Sequence, residues 1–200
     1  MAVGLASVIL LVLAGTVMQL VGHGYFDDRV NFLDSASDGG FFGFAGVAAI
    51  ASTALAAWVV LLRLRPISAF TVALAPILTF LTIDKIWRLH DRVPGWLAFY
   101  LPLLALTFVA VAVIASRMSA RSFRLAVAGL FLLSVSFLLH VFGEQLLHWL
   151  GASSTGWIFQ VKVAVKHGAE VAGWCLITLA FAVGLRERSK GARPLGLRHR

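Results

Sequence analysis

The run from Trp96 to Ser116, WLAFYLPLLALTFVAVAVIAS, carries no Asp, Glu, Lys, Arg or His. One crossing of a hydrocarbon layer takes about 20 apolar residues, so this run is long enough to span a bilayer as a helix. A strand reading fails, because the residues do not alternate in polarity and a lipid-facing backbone must satisfy its own hydrogen bonds. The pattern recurs along the chain between charged and turn-forming residues, and predicts helices over 2–22, 41–62, 67–90, 96–116, 124–149 and 157–184. The expected class is all-α, a polytopic integral membrane bundle of six transmembrane helices. Composition agrees, with 60% hydrophobic and 13% charged residues and a mean hydropathy of +0.91, whereas a soluble domain has an apolar share of ~45–50%. Residues 1–185 read as one transmembrane domain, and residues 186–200 as a basic, flexible cytoplasmic tail.

The net charge of +8 would suggest nucleic acid in a soluble protein. Here the cations fall mainly between and after the apolar runs, where they orient a membrane protein, and no nucleic-acid partner is expected. Arg63, Arg65, Arg117, Arg121, Arg124, Arg186, Arg188, Lys190, Arg193, Arg198 and Arg200 lie on one side, with Glu187 as its acid; Arg29, Lys85, Arg88 and Arg92 lie on the other. The excess places both termini in the cytoplasm and the chain in the plasma (inner) membrane. Trp87, Trp96, Tyr100, Trp149 and Trp157 then form an aromatic belt at the outer boundary. The first run lacks the charged start of a secretory signal and is expected to stay as the first span. Cys175 is the single cysteine, which excludes an internal disulfide and a Cys-x-x-Cys metal site.

Ionisable residues inside spans are costly, at ~2.5–3.5 kcal/mol for a charge at the bilayer centre, and so mark candidate sites. The third helix ends with Asp84, Lys85, Arg88, His90 and Asp91; the fifth carries His140, Glu144, Gln145 and His148; the sixth carries Lys162, Lys166, His167 and Glu170. The first, second and fourth helices offer almost nothing comparable. At about 100° per residue, His140, Glu144 and His148 form one stripe, Lys162, Lys166 and Glu170 another, and Asp84, Arg88 and Asp91 a third. Counting ~1.5 Å per residue from Trp149 and Trp157 puts Glu144 level with Lys162, and His140 level with His167. The expected shared ligand or proton site is Asp84, His90, Asp91, His140, Glu144, Lys162, Lys166, His167 and Glu170.

Imidazoles and carboxylates suit Zn, Fe, Cu or Mn, and His140, Glu144, His148 and His167 are the candidate metal ligands. Haem between His140 and His167 matches in depth, so a divalent metal or haem stays open as cofactor. Mixed His, Glu, Lys and Asp also describe a proton relay or a site for an anionic solute. The acids of the 23–42 loop lack the spacing of a calcium-binding loop and read as a solvated outer segment.

The third and sixth helices resemble a loosely defined, functionally uncharacterised group of bacterial polytopic membrane proteins. In that group Asp-Glu-x4-His-Glu ends one span and Glu-Glu-x2-Glu-x2-Gly lies within the last. The counterparts here are Asp84-Lys85-x4-His90-Asp91 and Lys166-His167-x2-Glu170-x2-Gly173. Lys85, Lys166 and His167 stand where the group has acids. The resemblance implies an architecture and a shared outer-leaflet cluster, and no activity.

Three functions fit these residues. The first is a small membrane protein whose outward cluster binds or passes a small ligand or a proton, without covalent catalysis. The second is a metal- or haem-dependent membrane enzyme, hydrolytic or redox, with Asp84 or Glu170 as acid or base. The third is an accessory subunit of a larger membrane complex. Besides the lipid bilayer, a membrane protein partner or a second copy is the expected company.

Overall fold

The structure is a computed structural model that describes residues 2–26, 33, 40–89, 92–153 and 156–191. Among these residues there is no strand, and seven helices follow one another: α1 (Ala2–Phe26), α2 (Phe41–Arg63), α3 (Ala69–Trp87), α4 (Trp96–Met118), α5 (Ala120–Val141), α6 (Gly143–Trp149) and α7 (Trp157–Gly191). All but α6 are long and apolar enough to cross a membrane. They stand where the six apolar runs are read.

Local chemistry sets the helix ends. Ser68 has an extended backbone, and its Oγ accepts from Thr71 N–H at 3.3 Å, capping one of the amides that the first turn of α3 leaves without a helical partner. Arg88 ends α3 in the left-handed region, with φ 53°. The chain leaves α6 through Gly151 at φ 62°. There Gly151 N–H donates to His148 C=O at 3.1 Å and Ala152 N–H to Leu147 C=O at 3.0 Å, the paired closure that a left-handed glycine makes cheap. Pro76 and Pro102 sit inside α3 and α4.

Three boundaries differ from the expectation. The fifth span, read as one helix over 124–149, is two: Phe142, at φ −107° and ψ 5°, interrupts it between α5 and α6. Gly143 follows, and a Cβ there would lie 3.1 Å from Lys162 Cδ and 3.2 Å from its Nζ, so the backbone comes close to that side chain because it has none of its own. Second, α7 runs on to Gly191, so residues 186–191 of the expected tail are helical. Leu185, Arg186, Glu187, Arg188 and Lys190 are good helix formers, and cations suit a helix C-terminus. Third, α1 continues to Phe26, which brings His23 into a helix rather than a loop. His90, Asp91, the 27–32 and 34–39 stretches and residues 192–200 lie outside the described residues.

The chain divides into two units, Met1–Ile50 with Ala128–Leu176, and Ala51–Val127 with Ile177–Arg200. In the first, α1 buries Gly15, Gln19 and Gly22, spaced four and three apart on one face. The Phe42 ring occupies the room left at Gly15, and Gly168 of α7 meets Val12. Gly173 of α7 faces Leu133 and the Gly129 carbonyl of α5. In the second unit, Leu74, Ala75, Leu78, Val111, Ile114 and Ala115 are buried to within a few per cent. Ser122 Oγ donates to Ala180 C=O at 2.8 Å, and the Thr53 and Thr178 hydroxyls meet at 2.9 Å. These bonds join α5 to α7 and α2 to α7 within the unit.

Candidate functional site

The second unit holds Asp84, which is 5% exposed. It accepts a hydrogen bond from the Tyr100 hydroxyl. The Tyr100 ring packs edge-on against Trp96 at 5.7 Å and Phe99 at 5.5 Å, with Phe80 at 6.2 Å. Of the aromatic residues expected in the belt, Tyr100 is enclosed in the protein at 7% exposure, whereas Trp87, Trp149 and Trp157 are exposed. Nor do Asp84 and Arg88 share a helical stripe, because Arg88 has already left helical geometry.

The first unit holds His140, Glu144, Lys162, Lys166, His167 and Glu170. Its α7 members are partly enclosed, whereas His140, Glu144 and His148 are exposed. The stripe expected on the fifth span is divided between two helices, His140 in α5 and Glu144 and His148 in α6, although Phe142 N–H still donates to Leu138 C=O at 2.8 Å and Leu146 N–H to Phe142 C=O at 3.0 Å across the junction. Lys162 lies over Gly143 and places its Nζ 4.7 Å from the Phe159 ring centre. The Glu144 carboxylate acts on that ammonium electrostatically.

Deeper along α7, His167 Nδ1 stands 3.6 Å from Glu170 Oε2, with side-chain exposures of 16% and 18%. Their i, i+3 spacing puts both on adjoining parts of one helix face. The His167 ring also stacks on Phe42 at 6.2 Å and 23°. Phe42 is 1% exposed and so fixes the ring plane from the α2 side.

A third feature escaped the sequence reading. Gln19 Nε2 donates to Gln160 Oε1, and Gln160 Nε2 lies 3.2 Å from His23 Nδ1. An amide nitrogen has no acceptor lone pair, so Gln160 donates and His23 Nδ1 accepts. A neutral His23 then carries its proton on Nε2. The His23 ring meets Trp157 edge-on at 4.9 Å and 88°. Gln19 is fully buried and Gln160 is 3% exposed, so the pair joins α1 to α7 away from water. The available signal was one glutamine in each apolar run, with His23 four residues beyond Gln19.

The donor set does not support the metal reading. Among the described residues no three His, Cys, Asp or Glu side chains come together as metal ligands would. A centre built from His140, Glu144, His148 and His167 thus finds no support in this arrangement. The first unit has a cavity of about 320 Å³ among α1, α5 and α7, lined by Val12, Thr16, Leu20, Leu132, Val161, Ala164, Val165, Gly168, Ala169 and Ala172, with no histidine among them.

Compared with known proteins, the chain matches no family model, no curated protein and no solved structure.

Proposed function

We propose that the chain is a small multi-pass protein of the plasma (inner) membrane that binds and passes protons through its first unit, without covalent catalysis. The observation that carries this reading is the His167–Glu170 pair at 3.6 Å, largely enclosed on a helix apolar enough to cross a membrane. Glu170 lies thirteen residues after Trp157, about 20 Å along the axis at ~1.5 Å per residue. Charge there is expensive, whereas a carboxyl beside an imidazole exchanges a proton without leaving a net charge behind. Lys162 and Glu144 nearer the boundary supply the outer end of the path. The resemblance of Asp84, His90, Glu170 and Gly173 to the bacterial group supports the architecture and adds no activity.

The test is proton uptake into liposomes holding the purified protein and a trapped pH dye, driven by a potassium diffusion potential. Wild-type protein should acidify or alkalinise the lumen according to the sign of the potential. Glu170→Gln should cut that rate at least tenfold while remaining monodisperse. Flux no greater than in empty liposomes, or equal flux in the variant, rejects the reading.

Orientation is a separate part of the proposal. The cation excess near Arg63, Arg117, Arg121 and Arg186 puts both termini in the cytoplasm. A fluorescent reporter that matures only in the cytoplasm, fused after Arg200, should glow. A dark fusion together with an active periplasmic reporter at the same place reverses the topology.

A further inference from the structure

The second unit carries a dense, mostly cationic group of side chains that proton handling does not use. Arg63 closes α2, Arg117 lies in the last turn of α4, Arg121 and Arg124 open α5, and Arg186, Arg188 and Lys190 close α7. All of them are exposed, as is Arg65 just beyond α2. Contacts within the unit show that these ends meet. Arg188 Nη1 donates to the Arg65 carbonyl at 3.2 Å, and Arg121 Nη1 approaches Glu187 Oε1 at 3.5 Å. Glu187 is the acid of this group among the described residues.

Two guanidiniums are held there by backbone rather than by counter-charge. Arg65 Nη1 donates to the carbonyls of Leu61 and Leu64, both at 3.3 Å, which satisfies the open end of α2. Arg188 reaches the next carbonyl of the same strand of chain, that of Arg65 itself. Both side chains are thereby tied to the same end of α2 while staying exposed, and each planar fork keeps further N–H groups for an outside acceptor. An anion with several oxygens can accept from more than one such fork. The cations directly follow the apolar stretches of α2, α4 and α7, which is the depth of lipid phosphates.

We propose that this end of the protein binds an anionic phospholipid of the adjoining leaflet, with the phosphate seated on Arg65 and Arg188 and with Arg63 and Arg186 beside it. The site rests on the membrane-embedded reading and is independent of proton passage.

Native mass spectrometry of the full chain, released from neutral detergent, tests it with phosphatidylglycerol and phosphatidylcholine of identical chains as probes. Phosphatidylglycerol should be retained at least tenfold over phosphatidylcholine. R65Q/R188Q should lower that preference to near unity. R63Q/R186Q, which leaves both backbone anchors in place, should lower it severalfold and keeps the test decisive if the first variant does not fold. Equal retention of the two lipids by wild-type protein, or full preference kept in a folded R65Q/R188Q, overturns the site. Displacement of the lipid by inorganic phosphate at millimolar concentration overturns the lipid in favour of a free anion. Washing native membranes with alkaline carbonate separates the two levels: protein that leaves the membrane fails the embedded reading, whereas protein that stays but shows no lipid preference fails this proposal alone.

Discussion

Replacing Gly15 by leucine is expected to destabilise the protein by about 3 kcal/mol, the upper end of the usual range for overpacking an interior. A Cβ at this position would lie 2.5, 2.6 and 2.9 Å from Cζ, Cε1 and Cε2 of Phe42. Real Cβ atoms do not approach ring carbons so closely, so α1 or the ring must move. The ring is 1% exposed and stacked on His167, which leaves it little room to swing away. Its displacement also disturbs the plane in which His167 faces Glu170, so the proposed proton flux should fall along with stability. Thermal unfolding in detergent, followed by far-ultraviolet circular dichroism, reads the first effect. Adding Phe42→Ala to Gly15→Leu should restore part of the loss, with a coupling of about 1 kcal/mol or more between residues that touch. A midpoint unchanged in Gly15→Leu would mean that α1 does not pack on Phe42 in this way.

Gln160→Leu is expected to cost about 2 kcal/mol. The substitution nearly conserves volume, so the loss comes from hydrogen bonds rather than from a cavity. Gln160 holds Gln19 with its oxygen and His23 with its nitrogen, and one substitution removes both bonds. A buried polar group that loses its bond costs ~1–3 kcal/mol in proteins generally. Interhelical bonds in membranes average ~0.6 kcal/mol, with a maximum of ~1.7, so two lost together come to about 1.2–3.4 kcal/mol, which brackets the expected loss. The discriminating variant is Gln19→Leu/Gln160→Leu. Removing both amides should cost less than the sum of the single losses, because neither carries the desolvation of a broken bond. Strictly additive losses would deny that the two amides pair.

The apolar runs were legible because run length and charge spacing are local quantities. Trp96–Ser116 needs no neighbour to declare itself a helix long enough for a bilayer, and the same holds for the other five long helices. The break at Phe142 was less legible. Apolarity continues across it, and the signal was one glycine whose importance lies in Lys162 beside it. The equal spacing of His140, Glu144 and His148 therefore falls on two helices, one residue in α5 and two in α6. The i, i+3 relation of His167 to Glu170, by contrast, belongs to one helix and follows from spacing alone.

The order of residues by itself determined that this chain is helical, where its long apolar segments lie and which of them carry charge, since each depends on neighbours a few positions apart. Tertiary structure decided which polar groups are partners. Gln160 stands 141 positions from Gln19 and 137 from His23, and Asp84 spends its carboxylate on a tyrosine read as interfacial. The physical reason is that helical periodicity assigns each side chain to a face of its own helix, whereas the neighbour against that face is chosen by close packing at glycines such as Gly15, Gly143 and Gly173.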